Sequence, residues 1–376
     1  MIDVSFESLD NWLRRTPVIG QVHPLVPLSL SQDVDIVLDA DINRFLETLD
    51  NRDYIETRAK LILSDNEILK TRFPQMRSLE IPPIGAINHN MRHHLGYART
   101  HLLTTHKVAQ KIEEDVRQHH PELVVMLLID GLSYADVLDW GTSVEPCFVD
   151  GPSVTYRFYD DDRDKLVEKV GFASIVNTPP IYQRLYRLGY RHARGYTYWK
   201  PKDNIIADYM FTGVPFEQVV NFEFILQQIR KENLPKYSYI QIVREGLDGL
   251  AHGKRELRRS EIEGAIKGIL DDIERLLTAL KSTGFSVYLY ATADHGMLWK
   301  DEHRLENLKL PDSKPRYSPR HSSELEKYAV RMENGGVPYY LLCYPYLGSA
   351  IRANDSGVHG GLSYQESIVP FIKFKV

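Results

Sequence analysis

A chain of 376 residues with 43% hydrophobic and 26% charged side chains has the composition of a globular protein, long enough for one large domain or two moderate ones. No segment approaches the roughly 18 consecutive apolar residues of a membrane span, and the amino-terminal stretch lacks the basic-then-apolar layout of a secretory signal, so the expected setting is the cytoplasm with no membrane partner. The net charge of −5 argues against a protein that coats nucleic acid through long-range attraction, and Cys147 and Cys343 are too few for a disulfide framework or a thiolate metal site, which leaves any metal to His and carboxylate ligands.

From Met1 to about Glu122 the pattern is mostly helical, with apolar positions at helical spacing around Ile42, Phe45, Leu46 and Leu49 and again from Tyr97 to Val116. Pro82, Pro83 and Ile84 mark a break between them. Residues 1–119 are expected to form an N-terminal helical subdomain. Its histidines, His89, His93, His94, His119 and His120, have no acidic or cysteine partner at ligand spacing and are expected on a solvated face.

At Leu123 the character changes. Residues Leu123 to Ile129 form a continuous apolar run, as a central strand of a parallel sheet requires, and the run ends on Asp130 and Gly131. A turn at 151–155 carries two hydroxyls, Ser153 and Thr155, either of which is open as a nucleophile or as plain turn chemistry. Thr178 to Leu188 reads as a proline-started amphipathic helix stopped by Gly189, and the aromatic and basic stretch Tyr190 to Lys202 is read either as a packed surface loop or as a segment whose composition can stack on and neutralise a nucleotide. Another strand, Ser238 to Val243, precedes Asp248 and His252, which share a helix face if the turn between them is helical. Ser260 and Glu263 fit a capping box for a long helix with its apolar face at Ile262, Ile266, Ile269, Ile273, Leu276 and Leu280.

That helix leads into a buried strand from Val287 to Ala291, which exits onto Asp294 and His295. A long polar loop, about Lys300 to Gly336, follows and is expected to lack regular structure. The chain returns to strand at Val337, places His359 in a glycine-rich turn and closes on a strand that Pro370 demotes to a sheet edge or a bulge. Residues 120–376 are thus predicted to form an α/β domain, a mostly parallel sheet flanked by helices, with the helical segment as an extension. Carboxyl ends of parallel strands form ligand crevices, and Asp130, Asp248, His252, Asp294, His295 and His359 all stand near such exits. Three carboxylates and three imidazoles suit two divalent cations of the zinc type, with the Thr155 hydroxyl completing one coordination sphere.

The ordered set Asp130-Gly131, Pro152 to Thr155, Asp248 to His252, Thr292 to Gly296 and His359 to Glu366 resembles the alkaline phosphatase superfamily, and within it the PglZ-domain branch. The resemblance covers roughly residue 120 to the end. It implies one metal held by Asp248, His252 and His359 and another by Asp130, Asp294, His295 and Thr155, with Thr155 as nucleophile, favoured over Ser153 by its place at the end of the motif. The cations implied are zinc, with manganese or magnesium as substitutes, and Glu245 is a spare carboxylate within reach. It further implies a phosphodiesterase acting on nucleotides or oligonucleotides, or else a phosphomonoesterase, or a scaffold subunit of a phage-defence complex that docks its partner proteins through residues 1–119. Lys300, Arg316 and Arg320 are equal candidates for the cation that a monoesterase needs on its substrate.

Overall fold

The computed structural model describes residues 102–376 apart from 138–139, 141–143, 151–154, 161–162, 170–174, 177–179, 199–209, 232–233, 254–255 and 335–336, together with 36–37, 62–63, 88, 91–92, 95–96 and 98–100. The chain divides into two compact units, Met1–Tyr97 and Ala98–Val376. Within the first, Ile36–Val37 pairs in parallel with Ile62–Leu63; the helices expected around Ile42 and the histidines His89, His93 and His94 lie outside the described residues. Among the described residues no helix is long and apolar enough to cross a membrane.

The second unit is built on an eight-stranded sheet. In chain order its strands are β1 (Leu103–Thr104), β2 (Leu123–Asp130), β3 (Val144–Phe148), then β6 (His192–Thr197), β7 (Phe216–Gln218), β8 (Ser238–Glu245), β9 (Val287–Ala293) and the last strand, Ile368–Lys375. Thr155–Asp160 and Arg163–Lys169, labelled β4 and β5, form a separate antiparallel pair. The sheet runs β1-β3-last strand-β9-β2-β8-β6-β7, and only the last strand opposes its neighbours. This is the mostly parallel α/β architecture expected from the apolar runs. β2 and β9 are buried at every position, as strands covered on both faces must be.

Two pairs of helices supply that cover: α1 (Thr105–His119) with α2 (Ile181–Arg187), and α3 (Phe222–Lys231) with the long helix Arg259–Lys281. They lie on opposite faces. On β8, Tyr239 stacks on Tyr182 of α2, whereas Arg244 reaches Asp272 of the long helix, and residues of opposite parity point to opposite sides of a strand. A single helical turn, α4 (Asp248–Ala251), precedes the long helix, which is therefore α5. α5 buries the predicted stripe of Ile262, Ile266, Ile269, Ile273, Leu276 and Leu280. Its start differs from expectation: the helix begins at Arg259, and Glu261, not Glu263, accepts the N-cap amide, that of Arg258, at 3.1 Å. Glu263 instead pairs with Arg259 on the surface.

Three further expectations are corrected. The segment after Lys300 is not an unstructured loop; it carries β11 (Tyr317–Ser318) and β12 (Ala329–Asn334), which pair with β13 (Val337–Leu342) in a small antiparallel sheet. The last strand, β15, is interior rather than an edge. Pro370 is tolerated there because it faces Pro146 of β3, and the ladder with β9 runs only over Phe371–Lys375, so the missing N–H falls outside it. Finally, the part of the aromatic and basic stretch from His192 to Thr197 is not a loop but strand β6, with Tyr196 buried. His119 and His120 are exposed, as expected.

Leu127 sits in the centre of β2 with no exposed surface, between β8 and β9. Leu127→Ala is expected to lower unfolding free energy by about 2–5 kcal/mol, read as a lower urea midpoint with an unchanged denaturant slope; a shift within error would show that the sheet centre is not the core.

Candidate active site

Because β2, β8 and β9 run in the same direction and end level, their exits share one rim. Glu245 pairs with Asp130, and Ala293 with Ile129, so Asp294 and His295 emerge beside Asp130. The Gly131 amide donates to Asp294 Oδ1 at 3.3 Å, the Leu132 amide to the His295 carbonyl at 2.8 Å and the Leu247 amide to the Gly131 carbonyl at 2.9 Å. These bonds stitch the three exits together and put Asp248, first residue of α4, over them. His359 arrives from the far end of the sequence by a two-residue ladder. β10 (Leu298–Trp299), just past His295, pairs with β14 (Gly357–Val358), just before His359. The two imidazoles consequently stack, with centroids 3.8 Å apart and planes within 2°.

The side chains converge on two points. Asp248, His295 and His359 offer ligand atoms within 4.8 Å of one another, and so do Asp130, Asp294 and His295. His295 Nε2 stands between the groups, 3.6 Å from Asp130 Oδ1, 3.6 Å from Asp294 Oδ1 and 4.0 Å from Asp248 Oδ1. Its Nδ1 faces the Gly296 carbonyl at 3.1 Å; a proton there leaves Nε2 with its lone pair directed into the cluster. His359 Nε2 is 3.1 Å and His252 Nε2 3.3 Å from Asp248 Oδ1. That oxygen is buried, yet no N–H is aligned to hydrogen-bond it. Several lone pairs directed at one point, without hydrogen bonds to satisfy them, are what a bound cation requires.

The electrostatics agree with this. Burial by itself would raise the Asp248 pKa, but the close approach of the His252, His359 and His295 imidazoles holds it well below the usual carboxylate range. His295 is disfavoured as a cation by burial but is pushed up to about 9 by Asp294, Asp130 and Asp248. His359 is lowered by burial and by the positive charge of His295. Asp130 and Asp294 are 4% and 1% exposed, and carboxylates so close and so buried need a counter-cation, a part the His295 imidazolium can take only for as long as its Nε2 holds a proton. The donor set therefore fits divalent metal.

Close packing holds the rim. A Cβ on Gly296 would lie 1.8 Å from the Gln365 carbonyl oxygen, and one on Gly361 would lie 2.6 Å from the Arg316 guanidinium. Arg316 is fully buried and grips Glu366 through two bonds of 2.8 and 2.7 Å, while Glu366 also accepts the Gly361 amide and donates its own amide to Ser363 Oγ. The run from His359 to Glu366 is thus a fold device. Its glycine makes room for an arginine, and its glutamate holds that arginine beneath the histidine turn.

Two groups at the site escaped the sequence reading. Asp355 Oδ1 lies 3.3 Å from His252 Nδ1, so the His252 imidazole is held between two carboxylates, and its pKa rises to about 9 through Asp248 first and then Asp355, against the effect of burial. Tyr198 donates its hydroxyl to Asp130 Oδ2; the sequence marked its neighbourhood as aromatic and basic without singling it out. Glu245 is exposed and belongs to neither group of converging ligands. Of the three cations considered for substrate, Arg316 is committed to Glu366, Arg320 pairs with Asp312 on the surface, and Lys300 Nζ lies 3.4 Å from the Asp355 carbonyl. Thr155 opens strand β4, and Ser153 lies outside the described residues.

No family model and no curated protein matches the chain. Among solved structures it is similar to murine ectonucleotide pyrophosphatase/phosphodiesterase 5, at 15% identity over 66% of this chain and 87% of that one with a TM-score of 0.44. It is similar also to phosphonoacetate hydrolase from Sinorhizobium meliloti, at 14% identity over 67% and 90% with a TM-score of 0.43. A protein in the alkaline phosphatase superfamily from Vibrio parahaemolyticus is similar at 15% identity over 47% and 55%, with a TM-score of 0.31.

Breaking the Arg316–Glu366 pair from one side leaves a buried charge uncompensated. Arg316→Met is expected to cost about 3–5 kcal/mol of unfolding free energy, measured by urea denaturation. A loss below about 1 kcal/mol, the range of an exposed pair, would show that the pair does not hold the rim.

Proposed function

We propose that the chain is a metal-dependent phosphoester hydrolase, and specifically a phosphodiesterase acting on nucleotides or oligonucleotides with two divalent cations, zinc or in its place manganese or magnesium. The observation that carries this reading is the convergence of Asp130, Asp248, Asp294, His295 and His359 at the rim formed by the carboxyl ends of β2, β8 and β9. Asp130, Asp294 and His295 would hold one cation, and Asp248, His359 and His252 the other, with Asp355 and the Gly296 carbonyl orienting the imidazoles from behind. Bound cations at such a site supply charge for an in-line displacement at phosphorus, at the attacking and the departing oxygen.

Thr155 is the proposed nucleophile. Its Oγ1 forms a bond to phosphorus as the ester oxygen leaves with the bonding pair and takes up a proton; water then cleaves the phosphothreonine and restores the hydroxyl. A diester is favoured over a monoester by the state of the arginines. A monoesterase needs a cation on the extra phosphate oxygens, whereas Arg316 is held by Glu366, Arg320 by Asp312, and Lys300 Nζ lies against the Asp355 carbonyl at 3.4 Å. The motif resemblance to PglZ-domain proteins supports a place in a cytoplasmic phage-defence system, with residues 1–119 docking partner proteins.

With added zinc or manganese the purified chain is expected to hydrolyse bis(p-nitrophenyl) phosphate faster than p-nitrophenyl phosphate, and Thr155→Ala and Asp294→Ala should each reduce that rate by at least about a hundredfold, the scale of losing a group that acts only in the transition state. A metal-loaded protein inert to both esters would remove the reading. Asp355→Ala should weaken zinc binding about 10- to 100-fold by calorimetry; unchanged affinity would show that Asp355 does not position His252.

A further inference from the structure

A cleft of about 540 Å³ opens beside the Asp/His cluster and includes none of its proposed ligands. Its floor is the end of β8, from Val243 to Gly246. One wall is the face of α5 that carries Ala265, Gly268, Ile269 and Asp272, at helical spacing. The other is the entry to α3, with Val219, Val220, Phe222 and Ile225. Tyr198 closes the end towards the cluster: its side chain lines the cleft while its hydroxyl donates to Asp130.

Three features define the occupant. Arg244 and Asp272 both line the cleft but are joined to each other at 2.7 and 3.1 Å, and Glu245 lines it with an exposed carboxylate, so the lining offers no uncommitted positive charge and suits an uncharged group better than a second phosphate. The walls offer two aromatic side chains, Tyr198 and Phe222, and an apolar rim in which Val220 is 93% exposed. Gly268 lies inside a 23-residue helix, where glycine is unfavourable relative to alanine, yet a Cβ there would meet nothing within 4 Å. The wall is therefore open at that position. The volume falls within the roughly 300–1,000 Å³ of small-ligand sites.

We propose that this cleft binds an uncharged, flat aromatic group of the phosphoester substrate against Tyr198 and Phe222 while the phosphate lies at the Asp/His cluster; the phosphate half of the statement rests on the hydrolase reading above. Non-hydrolysable phosphonates separate the two halves. By calorimetry on the zinc-supplemented chain, phenylphosphonate should bind about tenfold or more tightly than methylphosphonate, the scale of a partly buried ring. Gly268→Leu, which fills the cleft and favours the helix, should abolish that preference and leave methylphosphonate binding unchanged. As a second measurement, Gly268→Cys places a thiol in the cleft of a chain whose own two cysteines are buried, and phenylphosphonate, but not methylphosphonate, should slow its labelling by a maleimide. Equal affinities in the unaltered protein, a preference that survives Gly268→Leu, or labelling that phenylphosphonate does not slow would each overturn the aromatic site. If methylphosphonate fails to bind while phenylphosphonate still protects the thiol, the hydrolase reading falls and the aromatic site stands.

Discussion

The cluster depends on three parallel strands ending level. Alternation of apolar and polar side chains usually pins strand register, because a one-residue slip turns the buried set outward. That restraint is weak for β2 and β9, which are buried at every position, so a slipped strand would still present an apolar face to each helix layer. What distinguishes the register is the chemistry at the exits, where the Gly131 amide meets Asp294, the Leu132 amide meets the His295 carbonyl and the Leu247 amide meets the Gly131 carbonyl. The groups that gather the ligands are therefore also those that align the sheet. The reversed strand β15 complements them: running against its neighbours, it begins at the rim where they end, and the turn that feeds it carries His359 there.

Two kinds of buried charge lie close together at this rim and behave differently. Arg316 and Glu366 satisfy one another, and Glu366 gains further bonds from Gly361 and from Ser363. Such a pair is closed and fixes geometry. The Asp/His cluster is open: the carboxylates of Asp130, Asp248, Asp294 and Asp355 outnumber the imidazoliums that His295 and His252 can supply, and a buried Asp248 oxygen takes no aligned hydrogen bond. A cluster left in that state costs folding free energy, and the rigid pair beneath it, with Gly296 pressed onto the Gln365 carbonyl, is what keeps it from relaxing.

Much of this was legible in the sequence because the central strands are apolar runs ending abruptly on a carboxylate, so one signal marks both the strand and its functional end. Asp130 and Asp294 stand out that way, and the helical turn that Asp248 and His252 need in order to share a face is present. The partners that depend on long-range packing were not legible. Arg316 and Glu366 are 50 residues apart with no shared periodicity, and Arg316 in a polar loop looked as available to substrate as Arg320. Asp355 lies in a polar turn whose composition signals only a loop. The short strands β11 and β12 were missed for a related reason: they are stabilised by pairing with β13, and their own residues carry little strand pattern. Pro370 misled because its penalty depends on what stands opposite, which here is another proline.

The cluster and the cleft beside it are divided by one turn of helix. Successive residues on a helix point about 100° apart, so Asp248 faces the converging imidazoles while Gly249 and Leu250 line the cleft. Tyr198 spans the division from the other side with its hydroxyl on Asp130. On the proposed reading, a molecule with a charged and an apolar half would lie across that boundary, its anionic part at the Asp/His cluster and its flat part against the aromatic and apolar walls. The same Tyr198 hydroxyl bond makes the two regions sensitive to one another: displacing the ring moves a donor off Asp130, and a carboxylate that loses its donor alters the charge balance of the whole cluster.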